Sequence, residues 1–241
     1  MKKYYVKEFN KLFLFFLIFS FFGIALVYLA SDIEFDETSF VSGSPSEYTF
    51  ILDAGHGGED SGAIGINGVF EKDINLSVCN LLAEVLKTNG FNVILTRTED
   101  KLLYTEAENI KGQRKIYDLK NRLKIAEENP DAIFISIHMN KFSMESCQGM
   151  QIYYGTKTEE SQKLAASIQN MVKSSIQTYN KRNIKASDGT IYLLDNAVGN
   201  AILIECGFLS NREECEKLST KDYQTQLSFQ IFCGIMEYIK K

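Results

Sequence analysis

The sequence predicts a single α/β layered domain: a mostly parallel or mixed six-stranded sheet with helices on both faces, preceded by one N-terminal transmembrane or signal helix. Three observations predict it. Short apolar runs alternate with longer stretches whose apolar residues recur at helical spacing, the pattern of strand–helix units. One run, Ala132–His138 (AIFISIH), is apolar on both faces, as a central parallel strand is. Another, Thr49–Asp53 (TFILD), opens directly into the glycine-rich loop Ala54-Gly55-His56-Gly57-Gly58.

The N-terminus comes first. Leu12 to Ala30 is apolar apart from Ser20 and Gly23, and as a helix it would reach roughly 28 Å, close to the hydrocarbon thickness of a bilayer. Lys2, Lys3, Lys7 and Lys11 precede it and Asp32, Glu34, Asp36 and Glu37 follow it, so the C-terminal part is expected across the membrane, outside the cytoplasm. Tyr28 is bulky where a signal-peptidase site wants a small residue, which favours a retained anchor over a cleaved signal peptide. Residues 1–31 therefore read as anchor or signal segment, 32–46 as a polar linker, and 47–241 as one domain.

Within that domain, Asp73 is placed to cap a helix that carries Ile74, Val78, Leu81, Leu82 and Val85, with Gly90 as its stop. Asn92–Arg97 is a second strand. Leu119, Leu123 and Ala126 mark a helix ended by Asn129-Pro130. After Ala132–His138 come a strand at Met150–Tyr154, a helix over Glu160–Tyr179, strands at Ile191–Leu194 and Ala201–Cys206, and a closing helix over Tyr223–Lys240.

The net charge of −5 argues against a nucleic-acid partner, which calls for a basic face. The 5 cysteines are odd in number and match no zinc-ribbon or CxxC spacing, so free, mostly buried thiols are expected.

Ligands in α/β sheets usually lie beyond the carboxyl ends of the strands. Both of the chain's 2 histidines fall there: His56 follows the first strand and His138 ends the third, with Glu205 near the end of the sixth. Imidazole and carboxylate are good zinc ligands, and a catalytic zinc takes three protein ligands plus water. Two histidines and one glutamate meet that count. The residues alone leave the glutamate open: Glu59 makes an HxxE spacing with His56, and Glu71 stands at the threshold of a helix.

Four segments then carry a resemblance. Leu52-Asp53-Ala54-Gly55-His56-Gly57-Gly58, Phe70-Glu71-Lys72-Asp73, Ser136-Ile137-His138-Met139-Asn140 and Glu205-Cys206-Gly207-Phe208-Leu209-Ser210-Asn211 resemble, in order, the motifs of the zinc-dependent N-acetylmuramoyl-L-alanine amidases. The likeness covers essentially all of 48–241. It implies that His56, Glu71 and His138 bind Zn2+, that Glu205 is the catalytic glutamate, and that peptidoglycan is the substrate. Asn140 is a candidate substrate contact. Met139 and Cys206 depart from the commoner residues of those motifs without removing any chemistry. Cys206, the single anchor and the lack of an appended wall-binding domain are most similar to the germination-specific, CwlD-type members of spore formers. That likeness implies action on spore cortex, in the route to muramic δ-lactam, in the space between forespore and mother cell. Family members are often activated by a partner protein, which this sequence does not name. Some relatives insert an autoinhibitory helix after the SxHxN motif; the short Lys141–Gly149 segment predicts none here. Rival readings are a zinc carboxypeptidase-like peptidase using His56, Glu59 and His138, and a peptidoglycan-binding module without activity. Arg97, Arg114 and Arg122 could meet stem-peptide carboxylates, with surface ion pairs as the plainer expectation.

Overall fold

The computed structural model describes residues 47–240; the expected anchor and linker lie outside them. Among the described residues no helix is long and apolar enough to cross a membrane.

Six strands form one sheet in the order β2-β1-β3-β6-β4-β5: β1 (Thr49–Ala54), β2 (Asn92–Leu95), β3 (Ile133–Asn140), β4 (Gln151–Tyr154), β5 (Lys185–Ala186) and β6 (Ala201–Phe208). Every pairing is parallel except β4 against β6. The longer helices are α1 (Glu71–Thr88), α2 (Arg114–Glu127), α3 (Glu159–Ser175) and α6 (Lys221–Ile239), with short α4 (Tyr192–Asn196) and α5 (Arg212–Leu218).

Side chains alternate across the strands and so feed two cores. Phe50, Leu52, Ile135, Ile137, Ile152, Ile202 and Ile204 pack with α1, α3 and α6 in the larger one. Ile51, Phe134 and Leu203 pack with Leu123 and Ala126 of α2 and Leu193 and Leu194 of α4 in the smaller one. The polar residues Asp53, Ser136, His138, Glu205 and Gln151 share that second face by the same alternation.

Several expected boundaries move. Asp73 does not cap α1: the helix starts at Glu71, with Phe70 at the N-cap and no side-chain cap, and Asp73 lies in its first turn. Its end is as expected. Gly90, at φ 84°, donates to Lys87 O and Phe91 donates to Leu86 O, the paired bonds of a left-handed helix stop. Ile191–Leu194 is not a strand. Residues 192–196 form α4, because neighbouring Leu193 and Leu194 both need the smaller core and a helical turn can bury adjacent residues where a strand cannot. The sheet edge is taken instead by β5, exposed and only 2 residues long. The α3 helix stops at Ser175, and Gln177 and Asn180 beyond it bond the Met150 backbone. An unexpected helix, α5, is capped by Asn211, whose side chain accepts from Glu214 N. Residues 141–149 contain no helix, as expected. All five cysteines are free thiols; Cys79, Cys206 and Cys215 are buried.

Candidate metal centre

One loop, the start of a helix and two strands bring the site together. β1 ends in the loop that carries His56, the one described non-glycine residue with positive φ (63°). A side chain in the left-handed region is strained and needs its surroundings to hold it. Two buried arginines do so. Arg122 Nη2 donates to His56 O (2.8 Å) and its Nη1 to Ala54 O (2.7 Å). Arg97 Nε donates to Ala54 O (2.8 Å) and its Nη2 to Gly55 O (3.1 Å) and Lys72 O (2.8 Å). Gly55 must lack a side chain, since a Cβ there would lie 2.2 Å from His138 Cε1 and Nε2.

Beneath the loop the charges are neutralised. Arg122 pairs with Asp53 (2.6 Å) and Asp118 (2.9 Å), all three buried. Asp53 also accepts from Thr96 Oγ1 and Ser136 Oγ. Burial alone would raise the Asp53 pKa, but the Arg122 charge and the Ser136 hydroxyl outweigh it and hold it below the usual carboxylate range. Arg97 and Arg122 are thus spent on backbone and buried carboxylates, and neither can reach a substrate carboxylate. Arg114 pairs with exposed Glu59 (2.6 Å).

Glu71 opens α1 and crosses the ends of the strands. Its Oε1 lies 3.2 Å from His56 Nε2 and 3.0 Å from His138 Nδ1, and accepts from Met139 N (3.0 Å) and Asn75 Nδ2 (3.3 Å); its Oε2 accepts from Ala63 N. One ligand atom from each of His56, Glu71 and His138 lies within 4.8 Å of the other two, the described cluster able to hold a metal ion. The donors, two imidazole nitrogens and a carboxylate oxygen, suit zinc. Glu59, tied to Arg114 on the surface, is not among them, and the HxxE reading loses its geometry.

Asp60 supplies what the sequence reading missed. Its Oδ2 lies 2.8 Å from His56 Nδ1, turning Nε2 toward Glu71, and 2.9 Å from Lys115 Nζ. Carboxylates commonly orient metal-binding imidazoles in this way. Burial disfavours the His56 imidazolium, yet Asp60 and Glu71 outweigh it and lift the pKa to about 9. Glu71, though buried, is held far below the carboxylate range by the two histidines. The Asp60 signal lay in the sequence as a carboxylate four residues past His56, overshadowed by Glu59 beside it.

Glu205 is the direct partner of His138 across the β3–β6 pairing. Its Oε2 is buried with no hydrogen-bond partner. Burial pushes its pKa up to about 7, with nearby Glu71 adding to the rise and the histidines opposing it. An unpartnered buried carboxylate oxygen is costly unless something else uses it. Beside a cluster of metal-binding donors, it is suited to taking and returning a proton near neutral pH. The carbonyl of Asn140 accepts from Leu209 N, so its backbone ties β3 to the end of β6.

Comparisons with known proteins agree with this geometry. Residues 50–237 match the family model described as N-acetylmuramoyl-L-alanine amidase. The chain is 36% identical over 187 residues to the germination-specific N-acetylmuramoyl-L-alanine amidase of Bacillus subtilis (strain 168), covering 78% of each chain. It is 40% identical to the CwlD amidase of Clostridioides difficile, solved in complex with the GerS lipoprotein, at a TM-score of 0.76 over 79% of this chain and 98% of that one. It is 29% identical to the amidase AmiC2 of Nostoc punctiforme, at a TM-score of 0.70 over 83% of this chain and 100% of that one. The fold, the strand-end cluster and these likenesses converge: the chain belongs to the family of N-acetylmuramoyl-L-alanine amidases, enzymes of the bacterial cell wall.

Proposed function

We propose that the chain hydrolyses the amide between the lactyl group of N-acetylmuramic acid and L-alanine in peptidoglycan, with zinc held by His56, Glu71 and His138 and with Glu205 as general base. The observation that carries this reading is the pairing of a three-donor cluster with a buried, unpartnered carboxylate one strand away. When bound, zinc supplies a Lewis acid that acidifies water and polarises the scissile carbonyl. Glu71 keeps both imidazoles aimed at one point, and Asp60 and Arg122 hold His56 in its strained conformation. Glu205 takes the proton of the attacking water and returns it to the departing L-alanine nitrogen. Asn140, on β3 just past His138, is offered as a substrate contact.

The remaining reading follows the germination-type relatives. The substrate is spore cortex peptidoglycan, in the route to muramic δ-lactam, and the place is the space between forespore and mother-cell membranes. Residues 1–31 anchor the protein or direct its export, 32–46 link, and 47–241 carry the catalytic domain. A lipoprotein partner of the kind solved with the clostridial relative activates it.

The test is incubation of zinc-loaded protein with cortex and with vegetative peptidoglycan, followed by mass spectrometry of the products. Free stem peptides are expected, more from cortex. No release from either, with zinc confirmed in the protein, overturns the amidase reading.

A further inference from the structure

A row of side chains runs on from the metal cluster toward the sheet edge. In register, His138 of β3 faces Glu205 of β6, and Glu205 faces Gln151 of β4. Direct partners on neighbouring strands point to the same face, so metal ligand, base and amide stand in line, spanning two strand spacings or about 10 Å. At the end of the row stands Arg182. Its Nε (3.1 Å) and Nη2 (2.8 Å) both donate to Gln151 Oε1. Its guanidinium lies over the Phe208 ring, 4.8 Å from the centroid. The Gln151 amide is in turn fixed by donating to Asn183 O. Half-buried Arg182 makes no ion pair among the described residues, and its Nη1 makes no hydrogen bond among them. It is close enough to Glu205 for its charge to favour that carboxylate.

A guanidinium stacked on an aromatic ring and clamped by a buried glutamine is pre-oriented, and its free edge is what planar recognition of a carboxylate needs. The expected course of the reaction sets the direction. Glu205 gives the proton to the leaving nitrogen, so the peptide side of the scissile bond lies over Glu205 and continues toward Gln151. An extended peptide advances about 3.3–3.6 Å per residue. A carboxylate on the residue after L-alanine therefore falls about 7 Å beyond the scissile bond, within the reach of the row. We propose that Arg182 is a substrate-binding residue that takes the free α-carboxylate of the second stem residue and so selects stem peptides carrying that charge. This rests on the amidase reading and deepens it.

The test uses zinc-loaded full-length protein and two forms of polymeric peptidoglycan that differ only in whether the second stem residue's α-carboxyl is free or amidated. Wild type is expected to favour the free acid by about 10- to 100-fold in kcat/KM, the range of a hydrogen bond to a charged group. R182Q, which retains a donor for Gln151 but no charge, is expected to lose that factor on the free acid alone, through KM, with bound zinc unchanged. R182K is expected to restore part of it. Equal loss on both substrates, or a wild type indifferent to amidation, overturns the proposal, because a structural role would not distinguish the two forms. Absence of stem-peptide release from both forms is the separate outcome that overturns the amidase reading.

Discussion

The two faces of the sheet have been put to different uses. The face covered by α1, α3 and α6 holds an apolar cluster of 31 buried residues. The face covered by α2 and α4 holds a core of only 10, and toward the carboxyl ends of the strands its inward positions become Asp53, Ser136, His138, Glu205 and Gln151. The first face supplies stability and the second gives some of it up. There, buried polar groups are tolerated because most of them are bonded; Glu205 Oε2, which is where the chemistry is proposed, and Asp195 Oδ2 of α4 are left without a partner. A sheet can hold a metal site without losing its core because alternation sends the two demands to opposite sides.

That division can be broken in order of expected effect. Glu205→Gln removes the proposed base while keeping shape. Stem-peptide release should fall by about 10²- to 10⁴-fold with bound zinc unchanged; retention of full activity would remove Glu205 from the mechanism. Arg122→Met leaves Asp53 and Asp118 buried without their partner. Denaturant unfolding should show a loss of about 3–5 kcal/mol, and zinc affinity measured by calorimetry should fall too, because His56 O loses its donor. On the opposite face, Leu82→Ala, in the fully buried middle of α1, should cost about 2–5 kcal/mol while zinc affinity of the folded protein stays the same. If both variants moved zinc affinity alike, the faces would not be separable.

The smallest effect is one of pH. Asp53 has its pKa lowered by Arg122, so the stability it contributes is present above the unfolded carboxylate value of about 3.9 and is lost as pH falls below it. Wild-type unfolding free energy should therefore drop more steeply in acid than that of Arg122→Met, whose Asp53 no longer has the opposing charge.

Much of this was legible in the chain itself. Ala132–His138 announced a central strand because both of its faces are apolar, and His56 and His138 announced a site because each stands where a strand ends. The α4 turn was not legible. Ile191–Leu194 has the composition of a strand, and only the position of the smaller core decides that Leu193 and Leu194 must turn inward together. The roles of Arg97 and Arg122 were hidden for a similar reason. A charged residue reads as surface or substrate-facing until the fold encloses it, and here both bond the backbone of the His56 loop from below.

The choice between Glu59 and Glu71 shows the boundary most clearly. By spacing both were open, and family motifs favoured Glu71. Local order along the chain determined the strands, the helical faces and which residue types could bind a metal, because those depend on periodicity and chemistry within a few residues. Tertiary structure alone decided which atoms meet. Glu71, at the first turn of a helix on one face, reaches over the strand ends to both histidines, while Glu59, nearer to His56 in sequence, is turned outward to Arg114. Distances between side chains on different elements are set by how helices and strands pack, and no spacing along a single chain contains them.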